Sequence, residues 1–165
     1  MTDNQRGFTL AELLIVAAVI GVIAGIAIPS LSGALERNRL RAGADLMAGQ
    51  LRAARLAAIT RNASFRVRFD CPGPGAVRVL AVTGNAAIDD AADRCSNTVA
   101  NDGPTVYAPV GITYGVLPTF EFNGRGQATV DAGALPLTIT VAHGTITRNV
   151  VVSATGRVQI AGGGS

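Results

Sequence analysis

The feature that most constrains this chain is a long apolar run that begins beside an acidic residue. Residues 13–28 contain no charged side chain and nothing more polar than glycine, and Glu12 comes directly before them. As a helix, residues 8–28 would measure about 31 Å at roughly 1.5 Å per residue, which matches a hydrocarbon core of about 30 Å. Because a carboxylate is costly in such a segment, Glu12 is interpreted as a functional residue that needs a partner.

The alternative interpretation of the apolar run is a conventional removable signal peptide, from which it differs in two respects. The apolar core of a signal peptide is about 7–15 residues long and ends at a small-residue cleavage site. This run is longer, and Pro29 follows it. The flanking arginines Arg37, Arg39 and Arg41 by themselves favour a cytoplasmic location for the C-terminal side. The N-terminal motif predicts the opposite orientation.

The residues at the start of the run form a specific motif. RGFTLAELLIV at 6–16, with AIPS at 27–30, resembles the N-terminus of type IV prepilins and type II secretion pseudopilins. The resemblance implies that a prepilin peptidase cuts after Gly7 and methylates the new terminal residue, Phe8. It implies that Glu12 neutralises the terminal amine of a neighbouring subunit during assembly, since the two charges are tolerable in lipid only together. An ordinary anchored periplasmic protein would need neither Gly7 nor Glu12.

Two residues of this motif also have simpler interpretations. Glu12 can stabilise the start of the helix, where the helix dipole favours negative charge, and this role is compatible with assembly. Pro29 matches a proline that commonly interrupts the helix in these subunits, and it removes a backbone donor, so it is expected to kink or loosen the helix. The alternative is that the helix stops there, at the membrane surface.

The rest of the chain changes from a helical period to a period of two. A helix is predicted from Ser30 to about Asn62, with one face that packs on the following sheet; a separate coiled coil is the weaker alternative. The residues on that face are Leu40, Ala44, Met47, Leu51, Ala54 and Ala58. Strands are predicted at 65–69, 77–82, 120–122, 137–141, 147–152 and 157–160, with hairpin turns at NGRG (123–126) and AHGT (142–145). Residues 83–105 are predicted to form a polar surface loop.

These patterns predict an α+β fold, with a long N-terminal helix, transmembrane in its first half, packed on antiparallel β-sheet. The resemblance to prepilins implies that this fold is of the pilin type. The predicted organisation is a leader peptide at 1–7, a transmembrane helix half at 8–29, a periplasmic domain at 30–160 and a flexible tail at 161–165. TFEFNGRGQA and the segment from 137 to 160 resemble the GspH/FimT family. Membership implies a minor subunit at or near a filament tip. AIPS and the sequence over 36–62 favour a type IV pilus over a type II secretion pseudopilus.

The sequence contains no recognisable catalytic or cofactor motif. Metalloprotease, CxxC, phosphate-loop and nucleophile-elbow patterns are absent, so we expect neither an enzyme nor a bound cofactor or metal. A solvated loop is preferred over a calcium site for Asp89, Asp90 and Asp93. Cys71 and Cys95 are expected to form a disulfide in an oxidising compartment, or to remain two thiols in the cytosol.

The expected partners are other pilins or pseudopilins, the prepilin peptidase and inner-membrane lipid. DNA is a further candidate, because some pilus members of the family serve DNA uptake and the resemblance implicates an arginine-rich C-terminal turn. Arg125, Arg148 and Arg157 lie at or near predicted turns, where their side chains are expected to be exposed. Gln159 stands where a second basic residue would strengthen phosphate contact. Scattered solvated arginines are the preferred alternative.

Overall fold

The structure, a computed structural model, describes residues 9–115, 118–131 and 133–162, without the side chains of residues 28–30. The chain divides into two compact units, Met1–Arg37 and Asn38–Ser165. One helix, α1, runs over Leu10–Arg61 and contributes to both units. The helix therefore does not end at Pro29, and a kink or loosening at that position stays a prediction. Gly7 and Phe8 lie outside the described residues.

The second half of α1 provides the core of the second unit. The predicted face of Leu40, Ala44, Met47, Leu51, Ala54 and Ala58 is at most 7% exposed at every position, which confirms the prediction. The helix ends at Arg61 because Asn62 adopts a left-handed conformation, with φ of 48°. The next amide, that of Ala63, donates to the carbonyl of Ala58 over 3.1 Å. This pattern terminates many helices, since it satisfies a carbonyl that the helix leaves unpaired.

Nine strands and one short helix follow in the part of the chain that the structure describes. The strands are β1 (Phe65–Phe69), β2 (Ala76–Ala81), β3 (Thr105–Tyr107), β4 (Ile112–Tyr114), β5 (Phe120–Phe122), β6 (Ala128–Val130), β7 (Leu137–His143), β8 (Ile146–Val152) and β9 (Val158–Ala161), and the helix α2 spans Ala86–Asp89. They form two antiparallel sheets, one in the order β3-β2-β1-β5-β6 and the other in the order β4-β7-β8-β9. The antiparallel sheet and the predicted hairpins β5–β6 and β7–β8 are confirmed.

Alternation along the strands sets which side chains reach the core. In β1, Phe65 and Val67 are buried, as the period of two predicted. In β7 and β8 the buried residues are Leu137, Ile139, Val141, Val150 and Val152. They join the α1 face and the aromatic residues of β5 in one apolar cluster. This cluster fixes the second half of α1 against the sheets.

Three short strands and the boundaries of β2, β7, β8 and β9 differ from the sequence prediction. β3, β4 and β6, each three residues long, were not predicted as strands, and for β6 only the preceding turn was predicted. The equally short β5 was recognised from the alternation of FEF and from the turn signal that follows it. β9 continues to Ala161, where it pairs with Asn149 of β8. Ala161 therefore belongs to β9 and not to the predicted flexible tail at 161–165, of which residues 163–165 lie outside the described part of the chain.

Candidate assembly site

The first turn of α1 holds Glu12 in a reciprocal capping arrangement with Thr9. The backbone N–H and the hydroxyl of Thr9 both donate to Glu12 Oε2, each over 2.9 Å. In return, the N–H of Glu12 donates to Thr9 Oγ1 over 3.2 Å. A capping box of this kind satisfies backbone donors that the helix start leaves free. Glu12 thus performs the simpler role considered above, using one of its two carboxylate oxygens.

The surface that follows Glu12 is apolar on every side of the helix. Ten large apolar side chains are each 50% to 78% exposed: Leu10, Leu13, Leu14, Ile15, Val16, Val19, Ile20, Val22, Ile23 and Ile26. A Cβ atom added at Gly21 or Gly25 would meet no atom within 4 Å, so both glycines present bare backbone to the surroundings. The length and composition of this segment are sufficient to cross a membrane. Such a surface requires lipid or other helices to cover it.

The loop at residues 83–105 is more ordered than the sequence predicted. Cys71 and Cys95 are joined by a disulfide, with Cα atoms 5.2 Å apart. The guanidinium of Arg78 is buried and donates to the carbonyl oxygens of Cys95 and Gly103. Most residues of the loop are exposed, as the prediction of a polar surface loop requires, but Asp89 and Arg94 are buried. Arginine side chains supply the hydrogen bonds that regular secondary structure would otherwise provide to these carbonyls.

A buried ion pair lies at the centre of this loop. Arg94 and Asp102 form two hydrogen bonds of 2.6 and 2.8 Å, and their side chains are 2% and 1% exposed. Burial by itself would raise the pKa of Asp102, but hydrogen bonds from Arg94 and from the N–H groups of Val99 and Ala81 hold that pKa below its ordinary value. Sequence reasoning missed this pair, since a single arginine in a polar segment carries no periodic signal.

Asp89 is the second buried acid of the loop. Burial would raise its pKa, but the N–H and hydroxyl of Thr83 and the N–H of Gly84 lower it below the ordinary value. The neighbouring Asp90 pairs with Arg66 over 2.7 Å. Asp93 accepts a hydrogen bond from the side-chain amide of Asn97. All three acids considered for calcium are thus committed to contacts within the loop or with β1. Among the described residues, no group of three or more metal-ligating side chains is placed to hold an ion.

The three arginines considered for DNA do not form one exposed set. Arg125 and Arg157 are exposed, on the β5–β6 and β8–β9 turns respectively. Arg148 lies within β8, on the same face as the buried Val150 and Val152, and is half-buried. Its Nε atom is buried and has no hydrogen-bond partner among the described residues. Arg148 lies close to the β7–β8 turn, as expected, but it is not exposed, so only Arg125 and Arg157 present exposed side chains on turns.

The β5–β6 and β8–β9 turns touch through two glycines. A Cβ atom at Gly156, where φ is +74°, would lie 1.9 Å from the carbonyl oxygen of Gly126, so no other residue fits there. Arg55 of α1 joins the two turns, donating to the carbonyls of Gly126 at 3.0 Å and Thr155 at 3.2 Å. These contacts bring the turn before β9 against the second half of α1.

A groove runs between that part of α1 and the beginning of β9. We call it the arginine groove. It has a volume of about 330 Å³ and is lined by Arg52, Arg55, Leu56, Ile59, Gly156, Arg157 and Val158. Its α1 residues lie on a different face of the helix from the buried core face. Three of the seven residues are arginines, and none is acidic.

Comparison with known proteins identifies the family. The sequence profile described as "Type II transport protein GspH" matches residues 43–156, and the profile of the prokaryotic N-terminal methylation motif matches residues 2–28. The chain belongs to the GspH family. The pilin-like protein PilA1 of Thermus thermophilus is 31% identical to this GspH-family chain over 167 residues, covering 95% of this chain and 99% of PilA1. A fimbrial protein of Dichelobacter nodosus is 35% identical over 123 residues, or 70% of each chain.

Solved structures show the same fold. The minor pilin FimU of Pseudomonas aeruginosa superposes with a TM-score of 0.55 at 16% identity, covering 77% of this chain and 91% of FimU. The minor pseudopilin EpsH of Vibrio cholerae gives 0.54 at 15% identity, covering 78% and 96%. The GspH-family chain is a pilin- or pseudopilin-type subunit, a type that assembles with other pilins. Its apolar N-terminal helix fits a membrane-anchored pilin that is incorporated into a filament.

Proposed function

We propose that this chain is a minor subunit of a type IV pilus and is incorporated at or near the filament tip. The proposal is supported by the relatives that align with most of the chain, which are pilin-like and fimbrial proteins. By contrast, the type II secretion core protein G of Escherichia coli aligns with only 28% of it. A type II secretion pseudopilin is the alternative. The likeness to FimU and EpsH does not separate the two, since the TM-scores are 0.55 and 0.54.

The position of Glu12 is the observation that carries assembly into a filament, whichever of the two machines uses the subunit. We propose that a prepilin peptidase cleaves after Gly7 and methylates Phe8, which creates a positive amine close to this carboxylate. Thr9 occupies Oε2 of Glu12, whereas Oε1 has no partner among the described residues. The free oxygen can accept the amine of a neighbouring subunit while the helix cap stays intact. Each charge is costly alone in an apolar environment, so pairing them favours assembly.

We further propose that the subunit crosses the inner membrane once, with its C-terminal domain in the periplasm, until it is assembled. The disulfide between Cys71 and Cys95 supports this orientation, because such bonds persist in oxidising compartments. Thiol labelling of protein taken directly from cells, with and without reductant, tests it. Labelling should require the reductant. Free thiols in both conditions would contradict the proposal and support the cytoplasmic orientation that Arg37, Arg39 and Arg41 favour.

Shearing filaments from the cell surface tests which machine uses the subunit. An epitope-tagged chain should appear in sheared type IV pili at a small fraction of the major subunit. It should disappear from that fraction when the pilus assembly motor is deleted, and remain when the secretion motor is deleted. The reverse dependence would support the pseudopilin alternative. A tagged chain that never enters the sheared fraction would contradict the pilus assignment.

DNA binding is a second candidate function, favoured by one observation. Arg125 and Arg157 lie on two touching turns, and Arg52 and Arg55 lie on the adjacent helix. Binding to phosphates would weaken steeply as salt rises. An anisotropy titration of the full chain against labelled DNA tests it: Arg157→Gln should weaken binding more than Arg37→Gln. Equal losses would indicate a diffuse charge effect. We propose no catalytic role and no cofactor, since the family and fold are those of structural subunits.

A further inference from the structure

The outer edge of β9 is open. β9 is the last strand of its sheet, and its only strand partner among the described residues is β8. Just before β9, the N–H of Ser153 donates to the carbonyl of Arg157 over 3.0 Å. The backbone N–H and C=O groups of Arg157 therefore point toward the β8 side. Along an antiparallel pair, such residues alternate with residues whose backbone groups face away. By this alternation, Val158 and Ile160 direct their N–H and C=O groups to the open edge.

A side-chain contact agrees with this orientation. Arg52 of α1 reaches the carbonyl oxygen of Val158 over 3.4 Å, which requires that carbonyl to point away from β8. Natural proteins commonly block open edges with charges, prolines or bulges, because such edges pair readily with other strands. At β9 the only cover described is this single long hydrogen bond. Among the described residues, no side chain or turn bonds the N–H of Val158 or either backbone group of Ile160.

The arginine groove lies directly beside this edge. Leu56 and Ile59 form its apolar part and are 62% and 44% exposed. The charged part consists of Arg52, Arg55 and Arg157, and the ion pairs of the described residues involve only Arg66 and Arg94. An open strand edge, an apolar strip and unpaired positive charge therefore occur together. This combination suits an extended peptide that carries acidic and apolar side chains in alternation.

We propose that the arginine groove binds an extended acidic segment of a neighbouring pilin subunit, which adds to β9 as a fifth strand. The backbone of the segment pairs with Val158 and Ile160, its apolar side chains contact Leu56 and Ile59, and its carboxylates face the arginines. The proposal rests on the minor-pilin function, and it names a surface for lateral contact that is separate from Glu12. A nucleic acid would use the arginines but not the strand edge, and the groove contains no aromatic residue on which bases could stack.

The test uses the full chain in detergent micelles and a synthetic peptide of alternating glutamate and valine, blocked at both ends. Binding is followed by anisotropy, and backbone amide exchange by NMR. The peptide should bind at low-millimolar concentration or below, and should slow exchange of the Val158 and Ile160 amides by at least about tenfold. A version N-methylated at alternate residues keeps the charge but cannot pair as a strand, so it should bind at least about tenfold more weakly.

Two matched variants assign the binding to the groove. Leu56→Glu places a negative charge beside the acidic peptide and should reduce affinity at least about tenfold. Val110→Glu makes the same change at a position that is 87% exposed and outside the groove, and affinity should stay within about twofold. Both side chains are exposed, so neither change is expected to unfold the domain.

The results of these binding experiments distinguish strand pairing with a peptide from binding by charge alone and from a phosphate site. Absence of peptide binding, binding without protection of the two amides, or equal binding of the N-methylated peptide would each overturn the proposal. A single-stranded oligonucleotide that binds the groove in place of the peptide, without protecting the amides, would also overturn it and identify a phosphate site. Leu56→Glu should still be cleaved and inserted in the membrane. Failure of the groove proposal would therefore leave the minor-pilin assignment intact.

Discussion

The two halves of α1 are built from similar apolar residues but are covered in different ways. In the second half one apolar face, from Leu40 to Ala58, is covered by the sheets of the same chain, whereas Leu56 and Ile59 lie outside that face and are exposed. In the first half they surround the helix, and each large one from Leu10 to Ile26 is at least 50% exposed. The second unit therefore completes its own core, whereas the first requires lipid or neighbouring helices. This difference is what a subunit that moves from bilayer to filament needs.

The largest expected effect on filament assembly comes from removing Glu12, the acidic residue at the start of the exposed first half of α1. Glu12→Ala should leave membrane insertion and cleavage intact but reduce incorporation into sheared filaments by at least about tenfold, because the neighbour's amine would lose its counter-charge. Glu12→Asp should be milder, since it keeps the charge with a shorter reach. Thr9→Ala is the matched control for capping alone and should lower helix stability by only about 1 kcal/mol. Normal incorporation of Glu12→Ala would mean that Glu12 serves only as a cap.

The next prediction concerns the buried ion pair that stabilises the second unit. Asp102→Asn should lower the free energy of unfolding by about 3–5 kcal/mol, because it leaves Arg94 buried without its counter-charge. Asp131→Asn, at an exposed position, is the control and should change stability by less than about 0.5 kcal/mol. Urea unfolding followed by circular dichroism measures both. Equal, small effects would mean that the 83–105 loop contributes little to the fold.

Two leucines five residues apart compare the two faces of the second half of α1. Leu51 is fully buried and Leu56 is 62% exposed. Leu51→Ala should cost about 2–5 kcal/mol, from lost burial and the cavity that remains. Leu56→Ala should change stability by less than about 0.5 kcal/mol. The same urea titration gives both values, and similar values would contradict the assignment of these faces.

The sequence predicted the regular parts of the molecule because those parts carry a period. The α1 face and the alternation in β1, β7 and β8 were all recognisable. The same alternation contained a signal that was missed: counting back from Val152 and Val150 places Arg148 on the inner face of β8. The 83–105 loop had no such signal, since its order depends on Arg78, Arg94 and the disulfide, which connect residues far apart in an irregular segment.

The candidate site was also only partly predictable from the sequence. The motif at 6–16 identified Glu12, and its cap to Thr9 follows from the spacing of a capping box. The arginine groove was not predictable. Its walls come from α1 and from the turn before β9, and Gly126 and Gly156 bring those elements together through a close backbone approach. No local sequence pattern predicts a contact between residues that are so far apart in the chain.

The smallest expected effect is a loss of stability of the second unit at low pH. Asp89 and Asp102 have pKa values below the ordinary 3.8. Their stabilising contribution is therefore fully present above that value, declines as the pH falls below it, and is lost below the lowered pKa values. Urea midpoints should be similar at about pH 7 and pH 5 and lower at about pH 3. Asp89→Asn should show a smaller fall, and an unchanged midpoint at the lowest pH would contradict the lowered pKa values.

The central claim is that the exposed apolar half of α1 belongs to a processed pilin subunit. Intact-mass analysis of the chain extracted from membranes of cells with an active prepilin peptidase tests this most directly. The account predicts a mature chain that lacks residues 1–7 and begins with Phe8 carrying one additional methyl group, and a bulky residue in place of Gly7 should prevent the cleavage. A mass that retains Met1, or a chain that begins near Ala34 as a conventional signal cleavage would produce, would contradict the account.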